Sequence, residues 1–431
     1  MNQDPRLAAA KVIAAVLDGR SLNSCLPAAL AAVQPEEKGL LQQLCYGTLR
    51  HIPRLQALLS LLLNKPLKRK DADLQGLLLS ALYQLDSTRI PDHAAVDTAV
   101  SACRSLNKAW ATGMVNAVLR RYLREREALT ATLNEASRRC HPRWLHERIV
   151  AAWPQYAEAV LHANNERPPM TLRCHKGRVA REDYLARLAQ EGVEATPGQW
   201  SEQALTLSRA RDVDALPGFA DGDVSVQDEA AQLAAVLLDA GAGERVFDVC
   251  AAPGGKSGHI LERAPDLREL VAMDSDPDRL SMVEGNLQRL GLQATLINGD
   301  GREPPAILAK HSFDRILVDA PCSASGVIRR HPDIKVLRTP SDILGFARLQ
   351  LDILQGVWPL LKPGGRLLYV TCSIFPDENT ELVQRFLELT PGAAMLPIAA
   401  AWGLEQPCGR QLLPSAEGPD GLYFAALQRT S

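Results

Sequence analysis

The chain of 431 residues is 46% hydrophobic and 23% charged, the balance of ordinary globular domains, and it is long enough for two to four of them. No apolar run approaches the roughly 18 residues of a membrane span, the longest lying around Leu58 to Leu63, so no membrane association is expected; Met1 to Arg20 reads as neither a signal nor a transit peptide. The nine cysteines stand singly at 25, 45, 103, 140, 174, 250, 322, 372 and 408. Without a CxxC pair no metal site is expected, and the wide odd spacing argues against a disulfide framework, so a reducing cytoplasmic location is expected.

The net charge of −2 hides an asymmetry. Residues 1–140 carry 19 Lys and Arg against 12 Asp and Glu, a net of +7, which leaves −9 for the remainder. A basic front half suits a polyanion partner, although a solvated basic surface has the same composition. In chain order this half reads as helix after helix, with Ala8, Val12, Ala15 and Val16 at helical spacing. Similar patterns run over Lys38–Leu49, Leu55–Leu63, Leu74–Leu85, Ala94–Leu106 and Thr112–Leu123. The basic residues gather at Lys68-Arg69-Lys70, expected in a loop, and at Arg120, Arg121, Arg124 and Arg126. The stretch Ala81-Leu82-Tyr83-Gln84-Leu85, with Ile90-Pro91 and His93-Ala94-Ala95-Val96, resembles the helical RNA-binding domain of the NusB antitermination family.

Residues 141–240 change character. His141-Pro142-Arg143-Trp144 and Trp153-Pro154 punctuate a linker-like helical segment. Arg167 to Arg173 then reads as a turn into a strand, Arg181 to Gln190 as a helix, and 204–207 and 224–226 as short strands, together a small α+β module. Asp228 is placed to cap a helix over Glu229 to Leu238.

From Arg245 onward strands and helices alternate, which predicts a doubly wound parallel sheet. Strands are expected at 245–249, 270–274, 294–297, 313–319 and 366–372, with a late one at 421–428, and helices at 276–290 and 341–361. The central stretch is Asp248-Val249-Cys250-Ala251-Ala252-Pro253-Gly254-Gly255-Lys256. Strand, glycine turn and helix bring backbone N–H groups and a helix N-terminus to a ligand, though a Gly-Gly turn alone is commonly just a turn. The next strand ends in Asp274, about 20 residues on, the spacing at which a carboxylate meets ribose hydroxyls. GxGxxG is absent, which disfavours a pyrophosphate cofactor; a nucleoside without phosphates fits better, S-adenosyl-L-methionine foremost.

Ligands in such sheets bind beyond the strands' carboxyl ends. Those ends supply Asp248, Asp274, Asp300, Asp319 with Cys322, and Thr371-Cys372-Ser373. Any one of these aspartates reads equally as a cap or turn residue; together they form a rim. The strands leading to Cys322 and Cys372 are consecutive in the chain and expected to be neighbours. A nucleophilic thiol beside a methyl donor suits a pyrimidine. C5 of cytosine is a poor nucleophile until a thiolate adds to C6, which splits one hard step into two easier ones. A carboxyl group such as Asp319 at the N3 edge stabilises the adduct. Spacing alone does not rank the two thiols.

At these residues the sequence is close to a known family. DVCAAPGGK over Asp248–Lys256, Asp319-Ala320-Pro321-Cys322-Ser323 with Gly326 to Asp333, and Thr371-Cys372-Ser373 resemble the motifs of RNA cytosine-C5 methyltransferases. With the helical front the whole chain resembles the bacterial small-subunit ribosomal RNA methyltransferase B family. The resemblance implies 16S ribosomal RNA as substrate and 5-methylcytidine as product. It implies Cys372 as the thiol that adds to C6, Cys322 as the residue that helps resolve the adduct, and Asp319 and Lys256 beside them. It further implies Cys250, Ala251, Ala252, Pro253, Gly254, Gly255 and Lys256 at the methionine part of the cofactor, Asp274 at its ribose and Asp300 at its adenine. Asp319 would lie between cofactor and base, and Arg279 is a further candidate for the cofactor, equally readable as a surface residue. The fold class expected is multidomain: an all-α N-terminal domain (1–140), a small α+β linker module (141–240) and a C-terminal α/β Rossmann-like methyltransferase domain (241–431), expected monomeric. The alternatives are a methyltransferase of the same fold acting on another RNA, DNA or protein, and a ribosome-assembly factor that binds RNA without catalysis.

Overall fold

The computed structural model describes residues 3–308 and 313–430. It divides into two units, Met1–Arg167 with Ile328–Pro340, and Pro168–Val327 with Ser341–Ser431.

The first unit is helical. Pro5–Leu17 begins at Asp4, whose carboxylate accepts the N–H groups of Arg6 and Leu7, satisfying two donors that a helix start leaves orphaned. Lys38–Arg50, Ile52–Leu62, Ala72–Ser87, Asp92–Ser105 and Thr112–Ala131 follow; the first four lie within a few residues of the expected span, and the last runs well past the expected end at Leu123. Ala72–Ser87 is apolar around most of its surface, with Leu74 and Gly76 to Leu85 buried, and is therefore the central helix on which the others pack. One helix, Leu22–Ala31, was not expected; Pro27 inside it disguises it.

A late piece of sequence completes this unit. Residues Ile328–Pro340 belong to it, with Asp333 accepting the Leu22 N–H at 2.9 Å and the Arg50 guanidinium donating to the Arg329 carbonyl at 2.9 Å. The buried Lys335 ammonium donates to the Arg50 carbonyl at 2.7 Å and to Asn165 Oδ1 at 2.6 Å. Burial brings its pKa down to about 7.

Of the two basic clusters, the second is largely engaged within the unit. Arg121 pairs with Glu125, Arg120 donates to Asn116, and Arg126 joins Arg54 and Tyr122 on the Asp86 carboxylate. Lys68, Arg69 and Lys70 are exposed at the start of a short 3-10 turn, Arg69–Asp71.

The second unit holds two sheets. Strands β1 (Met170–Cys174), β2 (Ala195–Pro197), β3 (Ala204–Leu207) and β4 (Val224–Val226) form an antiparallel sheet in the order β2-β3-β1-β4, with the helix Arg181–Gln190 packed on its apolar face through Tyr184 and Leu188. The second sheet contains β5 (Arg245–Val249), β6 (Glu269–Asp274), β7 (Thr295–Asn298), β8 (Phe313–Asp319), β9 (Leu361–Thr371), β10 (Ala393–Leu396), β11 (Leu404–Glu405), β12 (Arg410–Gln411) and β13 (Tyr423–Arg429). Its order is β11-β12-β13-β9-β8-β5-β6-β7, with β10 on β13. The five strands from β5 to β9 are parallel, as expected. The far edge departs from the expected all-parallel sheet, because β13 pairs antiparallel with β9 and β10 to β12 add further antiparallel partners. Lys362-Pro363-Gly364-Gly365, which has the composition of a turn, is a bulge within β9: Leu361 pairs with Phe313 and Arg366 with Arg315.

The two sheets are braced by one buried ion pair. Arg173 on β1 donates from Nε and Nη2 to Glu262 at 3.0 and 2.5 Å and from Nη1 to the Gly255 carbonyl at 2.9 Å. Both side chains are almost wholly enclosed. Removing the cation strands a carboxylate in a low-dielectric interior. Arg173→Ala is expected to destabilise this unit by about 3–5 kcal/mol, read as a fall in the midpoint of urea unfolding.

Candidate active site

The strand order places β5 between β6 and β8, so the chain reverses its direction of travel across the sheet at β5, the point at which sheets of this kind bind ligands beyond their carboxyl ends. Asp248, Asp274 and Asp319 are the carboxylates at the ends of β5, β6 and β8.

The loop after β5 is shaped by its backbone. Cys250 takes φ of 61° and Gly254 φ of 94°, the latter immediately before the helix Gly255–Arg263. A side chain at 254 would be disfavoured by that φ and would also bring its Cβ within 3.0 Å of Val283 Cα. Partners on all sides hold the loop. Asp274 Oδ2 accepts the Ala252 N–H at 3.1 Å, Arg279 donates to the Ala252 carbonyl at 3.1 Å, and Asn286 donates to the Pro253 carbonyl at 2.6 Å. Arg279 is thus neither a plain surface residue nor aimed away from the loop: with Asn286, on the same helix Pro277–Leu290, it fixes the main chain. Ser257 donates to Asp248 Oδ2 at 2.5 Å, while Asp248 Oδ1 is buried without a hydrogen-bond partner.

Carboxylates dominate the charges around the Cys250 thiol. Burial is the main reason the Cys250 thiol is pushed far up, and the charges of Asp274, Asp319 and Asp248 add to it. Such a field favours a cationic ligand and opposes a phosphate. Asp274 keeps lone pairs beyond those given to Ala252 and to the Asp276 N–H. A positively charged nucleoside fits this donor set. Asp300 stands further out, paired with Arg302 at 2.6 Å, which holds its carboxyl below the ordinary value, and it lines a cavity of about 690 Å³ with Asp352 and Gln355.

The thiols lie where the register of β8 and β9 puts them. Asp319 pairs with Val370, the Ala320 N–H continues the ladder to the Val370 carbonyl, and the Gly326 N–H reaches the Cys372 carbonyl at 2.9 Å. Cys322 Sγ and Cys372 Sγ are 3.1 Å apart. Cys322 is buried, Cys372 half-buried. The hydrogen bond with Cys372 and its own burial push the Cys322 thiol well up, so it keeps its proton. Lys256 Nζ donates to Asp319 Oδ2 at 2.6 Å. Burial pulls the Lys256 ammonium down, but the Asp319 charge and hydrogen bond more than offset this, and it is a firmly charged cation that also feels Cys372.

Sequence inspection missed the group beneath the thiols. Glu378, fully buried, accepts the Ser323 N–H at 2.8 Å and Gln350 Nε2 at 3.1 Å on one oxygen, and the hydroxyls of Ser323 at 2.6 Å and Ser373 at 2.5 Å on the other. Burial raises its pKa despite the four donors. Asn379 adds bonds from Thr371 Oγ1 at 2.6 Å and to the Ser373 carbonyl at 2.9 Å. Spacing carries no sign of this; the one available signal is a pair of polar residues, Glu378-Asn379, between the apolar Ile374-Phe375 and the helix Thr380–Leu389.

Residues 235–428 match the family described as 16S rRNA methyltransferase RsmB/F, residues 3–124 the NusB family, and residues 141–214 the ferredoxin-like domain of RsmF/B-like methyltransferases. The chain is 51% identical over 427 residues to the ribosomal RNA small subunit methyltransferase B of Pseudomonas putida, covering 98% of each chain. It is 50% identical to the protein of that name from Pseudomonas syringae pv. tomato, covering 98% of this chain and 96% of the relative. Its fold is similar to the crystal structure of PH0851, with a TM-score of 0.83, 22% identity and 99% of each chain covered.

Asp248 supplies a test of the site's electrostatics. Its carboxyl is raised to about 7, chiefly by burial, with Ser257 opposing and the charge of Asp319 adding. The folded protein therefore holds this proton more tightly than the unfolded chain. The stabilisation it provides is complete below about pH 4 and is lost as pH rises through 7. Relative to Asp248→Asn, the parent is expected to lose roughly 2–3 kcal/mol of stability between pH 5 and pH 8, measured as the difference between paired urea titrations.

Proposed function

The chain belongs to the bacterial small-subunit ribosomal RNA methyltransferase B family, and from that premise we propose that it methylates C5 of a cytosine in 16S ribosomal RNA through a covalent bond from Cys372 to C6. The supporting observation is the pair of thiols 3.1 Å apart at adjoining strand ends, next to the Lys256–Asp319 ion pair. The donor is S-adenosyl-L-methionine, held by Cys250 to Lys256, Asp274 and Asp300, and when bound it supplies an electrophilic methyl group. The carboxylates of Asp274 and Asp319 suit its positive charge.

Cys372 gives up its proton and its sulfur adds to C6 of the target base. The ring then carries electron density at C5, which takes the methyl group as the bond from that methyl to the sulfonium breaks, its electron pair staying on sulfur in the neutral thioether that leaves. Asp319 serves the N3 edge of the base, and Lys256 holds Asp319 in place. The C5 proton passes to water, its bonding pair closes the C5–C6 double bond, and the Cys372 sulfur leaves with the C6–S pair, which restores the aromatic ring. Cys322, protonated and adjacent, returns a proton to the departing thiolate. The target base must leave its helix to meet a thiol, so base flipping belongs to the mechanism. The working division is an RNA-gripping section over 1–140, an α+β module over 141–240 and a catalytic section over 241–431, in a monomeric cytoplasmic protein.

Two measurements test this. With labelled donor and 16S RNA, Cys372→Ala is expected to abolish methyl incorporation, and Cys322→Ala to accumulate an RNA–protein adduct that survives denaturant. Trapping by the 372 variant with normal turnover by the 322 variant would reverse the assignment. For RNA binding, replacing Lys68, Arg69 and Lys70 by alanine is expected to flatten the slope of log affinity against log salt by about two to three. An unchanged slope would remove this turn from the RNA interface.

A further inference from the structure

The β-ladder between β8 and β9 fixes the strand ends, but both thiols stand beyond it, on loops. Cys322 and Cys372 are each followed by a serine, and both serines hydrogen-bond the same buried carboxylate, Glu378, with Ser323 also giving its backbone N–H. Ser325 ties the two again, its hydroxyl 3.1 Å from Ser323 Oγ and 3.1 Å from Ser373 Oγ, and it accepts the Ile374 N–H at 3.0 Å. Glu378 is held further by its main chain, whose carbonyl accepts from Tyr369 at 2.7 Å, and Gln350 Nε2 donates to both the Glu378 carboxylate and the Pro321 carbonyl.

A charge in this position is not what stability alone would select, because an apolar residue of similar size serves a core at least as well. What a carboxylate does that an apolar side chain cannot is accept four directed hydrogen bonds at once. These come from two loops some 50 residues apart in sequence and from the helix Pro340–Val357 that carries Gln350.

We propose that Glu378 is a positioning residue that holds the loops of Cys322 and Cys372 in register with each other, so that both sulfurs reach the same base. Its carboxylate oxygens are taken up by Ser323, Ser373 and Gln350. It rests on the two-thiol reaction proposed above, and it acts through Ser323 and Ser373.

The test measures sulfur proximity independently of methyl transfer. Diamide removes one hydrogen from each of two neighbouring thiols and leaves a disulfide. In the full-length protein, formation of the Cys322–Cys372 disulfide is followed by peptide mass spectrometry. Glu378→Ala is expected to slow it, and single-turnover methyl transfer with it, by about 100-fold, the scale at which a misplacement near 1 Å acts. A core truncation on the adjoining helix, Val383→Ala, is expected to leave disulfide formation at the parent rate. Should the alanine variant fail to fold, Glu378→Gln keeps the shape, removes the charge and one acceptor, and is expected to shift both rates in the same direction. Disulfide formation at the parent rate in a folded Glu378 variant would overturn the proposal, even if methyl transfer fell. Slowed disulfide formation with methyl transfer intact would uphold the clasp and instead overturn the two-thiol reaction.

Discussion

Parallel pairing of β8 with β9 is the constraint on which the site depends. With Asp319 opposite Val370, the chain leaves both strands at the same height, and the thiols that follow have one small volume to enter. A slip of one residue would turn each side chain to the other face of the sheet. Asp319 would then leave Lys256, and Cys372 would leave Cys322. The register is secured on both faces. Phe247, Ile316, Val318, Leu367 and Tyr369 fill one layer of core, and Val246, Leu317, Leu368 and Val370 the other.

Around that register the molecule concentrates negative charge and then restrains it. Asp248 is buried and bonded to Ser257, Asp274 holds the loop N–H of Ala252, and Asp319 is tied to Lys256. The loop between them owes its path to Gly254 and to two side chains of the helix Pro277–Leu290. The small antiparallel sheet contributes as well, since Arg173 grips the first carbonyl of the helix that follows the loop. A module that looks like a spacer in sequence is therefore a buttress for the glycine loop.

What could be read from the sequence followed periodicity and spacing. The parallel strands and most helices came from apolar patterns, and the strand-end carboxylates and thiols followed from where those strands stop. The bulge in β9 was not legible, because Lys362-Pro363-Gly364-Gly365 has the composition of a turn and only its pairing partner shows otherwise. Leu22–Ala31 was hidden by Pro27. Glu378 was invisible for another reason: its importance lies in four hydrogen bonds from distant segments, and no local pattern encodes those. Arg279 read equally as ligand-facing or as surface, and the structure gives it a main-chain carbonyl to hold.

The excursion of Ile328–Pro340 into the helical unit has a consequence for the nascent chain. That unit is mostly written in the first 167 residues, yet the groups that receive Arg50 and the Leu22 amide are supplied only at 329 and 333. At translation speeds of roughly 5–20 residues per second, the ribosome needs on the order of ten seconds or more to deliver them. For that interval the front of the protein exists as an unfinished bundle with a seam still hydrated. The seam closes only after most of the parallel strands have emerged, so birth of the helical unit and of the sheet-bearing unit is interleaved.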